Sequence, residues 1–97
     1  MVTRTDIQTR LSANRAQLSR FGVASLYVFG SVARGTSVES SDIDFLVAFE
    51  GSPTFDRYMG LKTYLESLFL TKIDLVTDDA VRPELRGNIE REAVRVA

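Results

Sequence analysis

The sequence has 97 residues, 44% of them hydrophobic and 26% charged, with a formal net charge of −1. Those values belong to one folded domain with a core of its own, and they exclude the strong basic excess of a dedicated nucleic-acid surface. Cysteine and histidine are both absent, which excludes disulfides, thiolate metal sites and the commonest general base, so any acid–base or metal chemistry falls to carboxylates, Lys, Tyr or backbone.

No apolar run approaches the ~20 residues that span a bilayer. The stretch "MVTRTDIQTR" lacks the apolar centre of a signal peptide. A cytoplasmic location is the expectation.

In chain order, residues 5–20 read as an amphipathic helix. Ile7, Leu11 and Leu18 lie on one stripe that Asn14 or Arg15 interrupts. Thr5 and Gln8 match a capping box, and Gly22 suits the exit. "VASLYVF", 23–29, is a strand rich in β-branched and aromatic residues. Residues 31–35 allow one helical turn after Gly30, closed by Gly35. "IDFLVAF", 43–49, is a second strand, followed by a Gly51-Ser52-Pro53 loop. Residues 54–69 repeat Tyr58, Leu61, Leu65, Leu68 and Phe69 at helical spacing, with Pro53 at the entrance. "KIDLVT", 72–77, is a third strand. A last helix spans about 83–95, with Leu85, Ile89, Ala93 and Val96 on one side and Gly87 weakening it.

The order is α-β-α-β-α-β-α, an α/β layer with a three-stranded mixed sheet and flanking helices. The short first connection favours antiparallel pairing of strands one and two. The full helix between strands two and three favours a right-handed parallel crossover. The end of strand one then lies beside the start of strand two.

That geometry gives meaning to "FGSVARGTSVESSDIDFLV", residues 29–47. In a strand, residues i and i+2 share a face, so Asp42 and Asp44 project together while Ile43 and Phe45 enter the core. Two neighbouring carboxylates repel, which raises one pKa or demands a cation. Asp74 alternates with Ile73 and Leu75 on the third strand and can reach the same face. Three such carboxylates make a hard-oxygen site suited to Mg²⁺, and two ions there would form the clamp of phosphoryl-type displacement. The alternative for each is a solvated strand end. Gly30-Ser31 opens a helical turn whose free N–H groups, with the Ser31 hydroxyl, offer an anion seat, and Arg34 adds a cation. The alternative there is a simple strand-to-helix junction with Ser31 as N-cap. A triphosphate bridged by Mg²⁺ to the aspartates accounts for both clusters at once.

These residues resemble the minimal nucleotidyltransferase family, of the polymerase-β-type superfamily. The family signature is Gly-Ser, ten residues, then Asp-x-Asp, with a third acid on a later strand. Here Gly30-Ser31 is followed by ten residues and Asp42-Ile43-Asp44, and Asp74 matches the third acid; "GSVARG" and "SDIDFLV" also resemble the family's wording. The resemblance covers essentially all of 1–97 as a single nucleotidyltransferase core. It implies Mg²⁺-dependent transfer of a nucleoside monophosphate, AMP from ATP, to a hydroxyl. On that reading Asp42 and Asp44 hold both metals and Asp74 completes the site and can act as base. Gly30 and Ser31 hold the β- and γ-phosphates, and Arg34 meets phosphate or a partner. Small members are commonly antitoxins that add AMP to a tyrosine of a HEPN-domain ribonuclease toxin, which makes such a toxin the expected partner. The other readings are a non-catalytic antitoxin that neutralises by binding, and an enzyme acting on a small molecule or nucleic acid. The first would neutralise without its aspartates, and the second would act without a protein partner.

The remaining polar and aromatic residues read more plainly. Glu39 and Ser40 belong to a polar loop, although the serines of "ESSD" can orient the metal ligands. Tyr27 and Tyr58 are read as core rather than as base-stacking platforms, with Tyr64 left open between the two. Lys62 and Lys72 are read as solvated surface. Arg82, Arg86, Arg91 and Arg95 form a solvent face of helical ion pairs or a partner interface.

Overall fold

A computed structural model describes residues 3–35 and 42–97. The chain opens with α1 (Arg4–Ser12) and α2 (Arg15–Arg20) where one helix was expected. The break falls at Ala13 and Asn14. The Asn14 side-chain amide donates to the Arg10 carbonyl at 2.7 Å, which substitutes for a backbone bond of a continued helix. Reorienting α2 lets Leu18 join Ile7 and Leu11 in the core. The capping box is Thr3 with Asp6, not Thr5 with Gln8: Asp6 N–H donates to the Thr3 hydroxyl at 3.2 Å and Thr3 N–H to the Asp6 carboxylate at 3.1 Å. Arg4 is already helical, so Thr5 lies two residues too late to cap.

Gly22, at φ +78°, turns the chain into β1 (Val23–Phe29). β1 runs directly into α3 (Gly30–Arg34), which Gly35 closes in the left-handed region. β2 (Ile43–Phe49) pairs antiparallel with β1, with Val28 opposite Phe45 and Phe29 opposite Asp44. α4 (Phe55–Phe69) is capped by the Thr54 hydroxyl, which accepts from Arg57 N–H at 3.1 Å; Pro53 stands just before the cap. α4 carries the chain across to β3 (Ile73–Thr77), which lies parallel to β2 with Ile43 opposite Ile73 and Asp44 opposite Asp74. A 3₁₀ turn at Asp78–Ala80 leads to α5 (Pro83–Glu92).

Among the described residues the sheet has four strands, in the order β3-β2-β1-β4, where three were expected. The helix expected over 83–95 ends at Glu92, and Ala93 turns extended. β4 (Val94–Arg95) then pairs antiparallel with the free edge of β1. The physical reason lies in "AVRVA": alternating valines prefer extended backbone. Val96 is buried there, and its N–H donates to the Leu26 carbonyl at 2.9 Å.

The core occupies one face of the sheet. Leu26 and Val28, Ile43, Phe45 and Val47, and Ile73 and Leu75 point into it from the strands, while Ile7, Leu11, Leu18, Leu61, Leu65 and Phe69 close it from the helices. Among the described residues no polar or charged side chain is fully buried. The other face alternates with this set: Tyr27, Asp44, Leu46 and Val76 are half-buried and Asp74 is exposed. Over it lies α5, which contributes no buried side chain. Among the described residues no helix is long and apolar enough to cross a membrane.

Candidate active site

The pairing of β2 with β3 places Asp44 and Asp74 side by side on the open face. Hydrophobic partners impose that alignment. Ile43 meets Ile73 and Phe45 meets Leu75 on the core side, so the residues between them must meet on the other. Asp42, exposed, immediately precedes β2, two residues before Asp44. The electrostatics reflect this crowding. The Asp44 carboxyl is pushed up to about 6, first by burial, then by the negative charges of Asp74 and Asp42 and a side-chain hydrogen bond with Asp74; the Arg34 guanidinium works the other way.

Gly30 abuts this group. Phe29 is the cross-strand partner of Asp44, so the chain passes the carboxylate as it leaves β1. A Cβ on Gly30 would overlap Asp44 Oδ2 and stand 3.1 Å from its Cγ, and Gly30 holds φ at +69°. Only glycine satisfies both conditions without strain. Ser31 follows in the first turn of α3, half-buried. β1, α3 and β2 thus bring a backbone turn and an acidic pair into contact.

Residues 11–96 match the family of nucleotidyltransferase domains. The chain belongs to that family. This nucleotidyltransferase is 38% identical, over 97 residues, to the protein adenylyltransferase MntA of Thermococcus cleftensis, with 99% of this chain and 98% of that protein aligned. It superposes on a solved minimal nucleotidyltransferase with a TM-score of 0.82 at 38% identity, covering 96% of this chain and 95% of the other. More distant structures share the fold. One is a toxin–antitoxin complex with AMP-PNP, at TM-score 0.75 and 21% identity, covering 93% of this chain and 72% of that one. Another is a tri-AMPylated Shewanella oneidensis HEPN toxin in complex with an MNT antitoxin, at TM-score 0.67 and 18% identity, covering 94% and 71%.

The expected site residues of the nucleotidyltransferase distribute as follows. Asp44 and Asp74 are in contact, Gly30 touches Asp44, and Ser31 is next to Gly30. The Asp42 charge is felt at Asp44, yet among the described residues no three ligand-type side chains are drawn together tightly enough to hold an ion as they stand. The donor set is all carboxylate oxygen, which fits a hard divalent cation and no soft one. Arg34 lies at the far end of α3 and pairs with Glu92, Nη1 to Oε2 at 3.1 Å. Glu39 and Ser40 lie outside the described residues.

Tyr27 departs from the expectation of core packing. It sits on the open face, where it lines a cleft of about 330 Å³ with Leu46, Val81, Ile89 and Ala93. The strand alternation around Leu26 and Val28, both buried, carried that signal. Tyr58 is part-buried as expected and its hydroxyl donates to the Leu75 carbonyl. The Tyr64 ring packs on Phe21 with centroids 5.7 Å apart. Lys72 is exposed and Lys62 half-buried. Arg86 donates to the Asp78 carbonyl at 2.9 Å, and Arg95 to the Ala97 carbonyl at 3.0 Å. Glu92 was not singled out from sequence, because its partner lies 58 positions away.

Proposed function

We propose that this nucleotidyltransferase moves AMP from ATP onto a tyrosine hydroxyl of a HEPN-domain toxin, with Mg²⁺, and so acts as an antitoxin. The observation that carries the reading is the contact set Gly30–Asp44–Asp74, in which a backbone turn meets paired carboxylates. The likeness to the MntA adenylyltransferase, over nearly the full length of both chains, supports the choice of AMP and of a protein acceptor.

In this reading Gly30 and Ser31 receive the β- and γ-phosphates through backbone N–H and hydroxyl donors. Asp42, Asp44 and Asp74 would hold Mg²⁺, which supplies charge neutralisation at the α-phosphate. The acceptor oxygen attacks the α-phosphorus, a P–O bond forms, and the bond to the β-phosphate oxygen breaks to release pyrophosphate. Asp74 would take the acceptor's proton, a role its exposure on the edge strand supports. Asp44 orients the pair from the centre of the sheet.

The test is transfer of label from α-labelled ATP to the co-expressed toxin in Mg²⁺. Label is expected on a toxin tyrosine, and Asp42→Asn with Asp44→Asn should lower its rate by about 10³-fold, the scale on which loss of electrostatic stabilisation acts. Equal labelling by that double variant rejects the assignment. Neutralisation of the toxin that survives the double variant identifies a binding-only antitoxin.

A further inference from the structure

Arg34 and Glu92 join two elements that the sequence holds far apart. Arg34 is the last residue of α3, one turn beyond Gly30 and Ser31, and Glu92 is the last residue of α5. Arg86 and Arg91 make their contacts locally, to Asp78, Glu90 and Asn88, whereas Glu92 reaches across to α3. The two side chains are 51% and 38% exposed. Pairs this open to water add little stability, so stapling α5 is a weak reason for the contact.

Geometry gives a stronger one. A guanidinium carries five N–H donors in a rigid planar fork on a long flexible stem. Anchoring Nη1 on a carboxylate narrows the positions the side chain samples. Without that hold, an arriving anion would have to order the side chain itself, and that ordering weakens binding.

We propose that Glu92 is a positioning residue for the nucleotide's triphosphate: acting through Arg34, it holds the guanidinium at the far end of the short helix that Gly30 and Ser31 open. This rests on the nucleotidyl-transfer reading above. It also gives α5, a helix with no fully buried side chain, a part in substrate binding.

The test measures binding of a non-hydrolysable ATP analogue and of AMP to the full chain in Mg²⁺, by calorimetry, alongside thermal melting. Glu92→Ala should bind the triphosphate about fivefold more weakly, the scale of one half-exposed charged contact. Its affinity for AMP and its melting temperature should stay at wild-type values. Glu92→Gln keeps a hydrogen-bond acceptor without the charge, and should stay close to wild type. The exchanged pair, Arg34→Glu with Glu92→Arg, restores an ion pair but moves the cation to α5, and should not recover triphosphate affinity. Glu92→Ala at wild-type affinity, or recovery by the exchanged pair, overturns the proposal in favour of a simple staple. Tighter triphosphate binding by Glu92→Ala also overturns it, since Glu92 would then compete with phosphate. Wild-type protein that binds neither ligand overturns the nucleotide reading together with this one.

Discussion

Gly30 is the residue at which backbone conformation and site chemistry meet. Its φ of +69° is left-handed, and its missing side chain is the space that the Asp44 carboxylate fills. Gly30→Ala therefore adds a conformational cost of ~1–3 kcal/mol to an overlap with the acidic pair. We expect it to melt lower than wild type and to transfer AMP at least tenfold more slowly even where it remains folded, checked by transfer rates well below its melting point. The Gly-Ser and Asp-x-Asp spacing was legible because it is local: i and i+2 on a strand share a face in any fold. The partnership of Asp44 with Asp74 was legible only as a direction of approach. Its actual register depends on Ile43 meeting Ile73 and Phe45 meeting Leu75, which sequence periodicity does not specify. Glu92 left no local trace, because nothing near it in sequence marks a residue that pairs with α3.

At the scale of elements, β1, β2, β3 and α4 follow directly from their hydrophobic periods, and the antiparallel and parallel pairings follow from connection length. The two ends of the chain were less legible. Asn14 breaks the first helix through a side-chain bond that composition alone does not reveal, and the alternation in "AVRVA" is too brief to outweigh the helical spacing before it. β4 nonetheless covers the edge of β1, with Val96 buried and hydrogen-bonded to Leu26. Val96→Asn should destabilise the protein by ~2–3 kcal/mol, by putting an amide where a methyl pair packed. A lower denaturant midpoint with an unchanged slope would be the signature. The opposite edge, β3, carries Asp74 in the open, and a charge there also discourages edge-to-edge pairing with another sheet.

For the whole molecule, the site stands in tension with stability. Folding raises the Asp44 carboxyl from 3.8 to about 6. A carboxyl raised in this way binds its proton more tightly in the folded state. Its favourable contribution is complete below pH 3.8 and is lost as pH climbs through about 6. Above that range the folded protein holds an ionised Asp44 against burial and its acidic neighbours. The full shift bounds the cost near ~3 kcal/mol, and screening at a half-buried group lowers it to about 1 kcal/mol. Asp44→Asn should therefore melt roughly 5 °C above wild type at pH 8 in a chelator, with the gap closing toward pH 4. Thermal melts of both proteins across that range check it, and a gap that does not change with pH would contradict it.

The two sides of the sheet differ in how firmly they are covered, and that difference governs how the molecule breathes. Amides in β2 and on the inward side of α4 sit behind a dry, interlocked interior and open only when everything opens. α5 contributes no fully buried side chain, so its amides are expected to exchange before those of β2 and α4. A macromolecule bound to its outer surface would act on Glu92, and through the ion pair on Arg34, before it reached the hydrophobic half. On the proposed reading, contact from outside would thereby reach the residues assigned to the triphosphate.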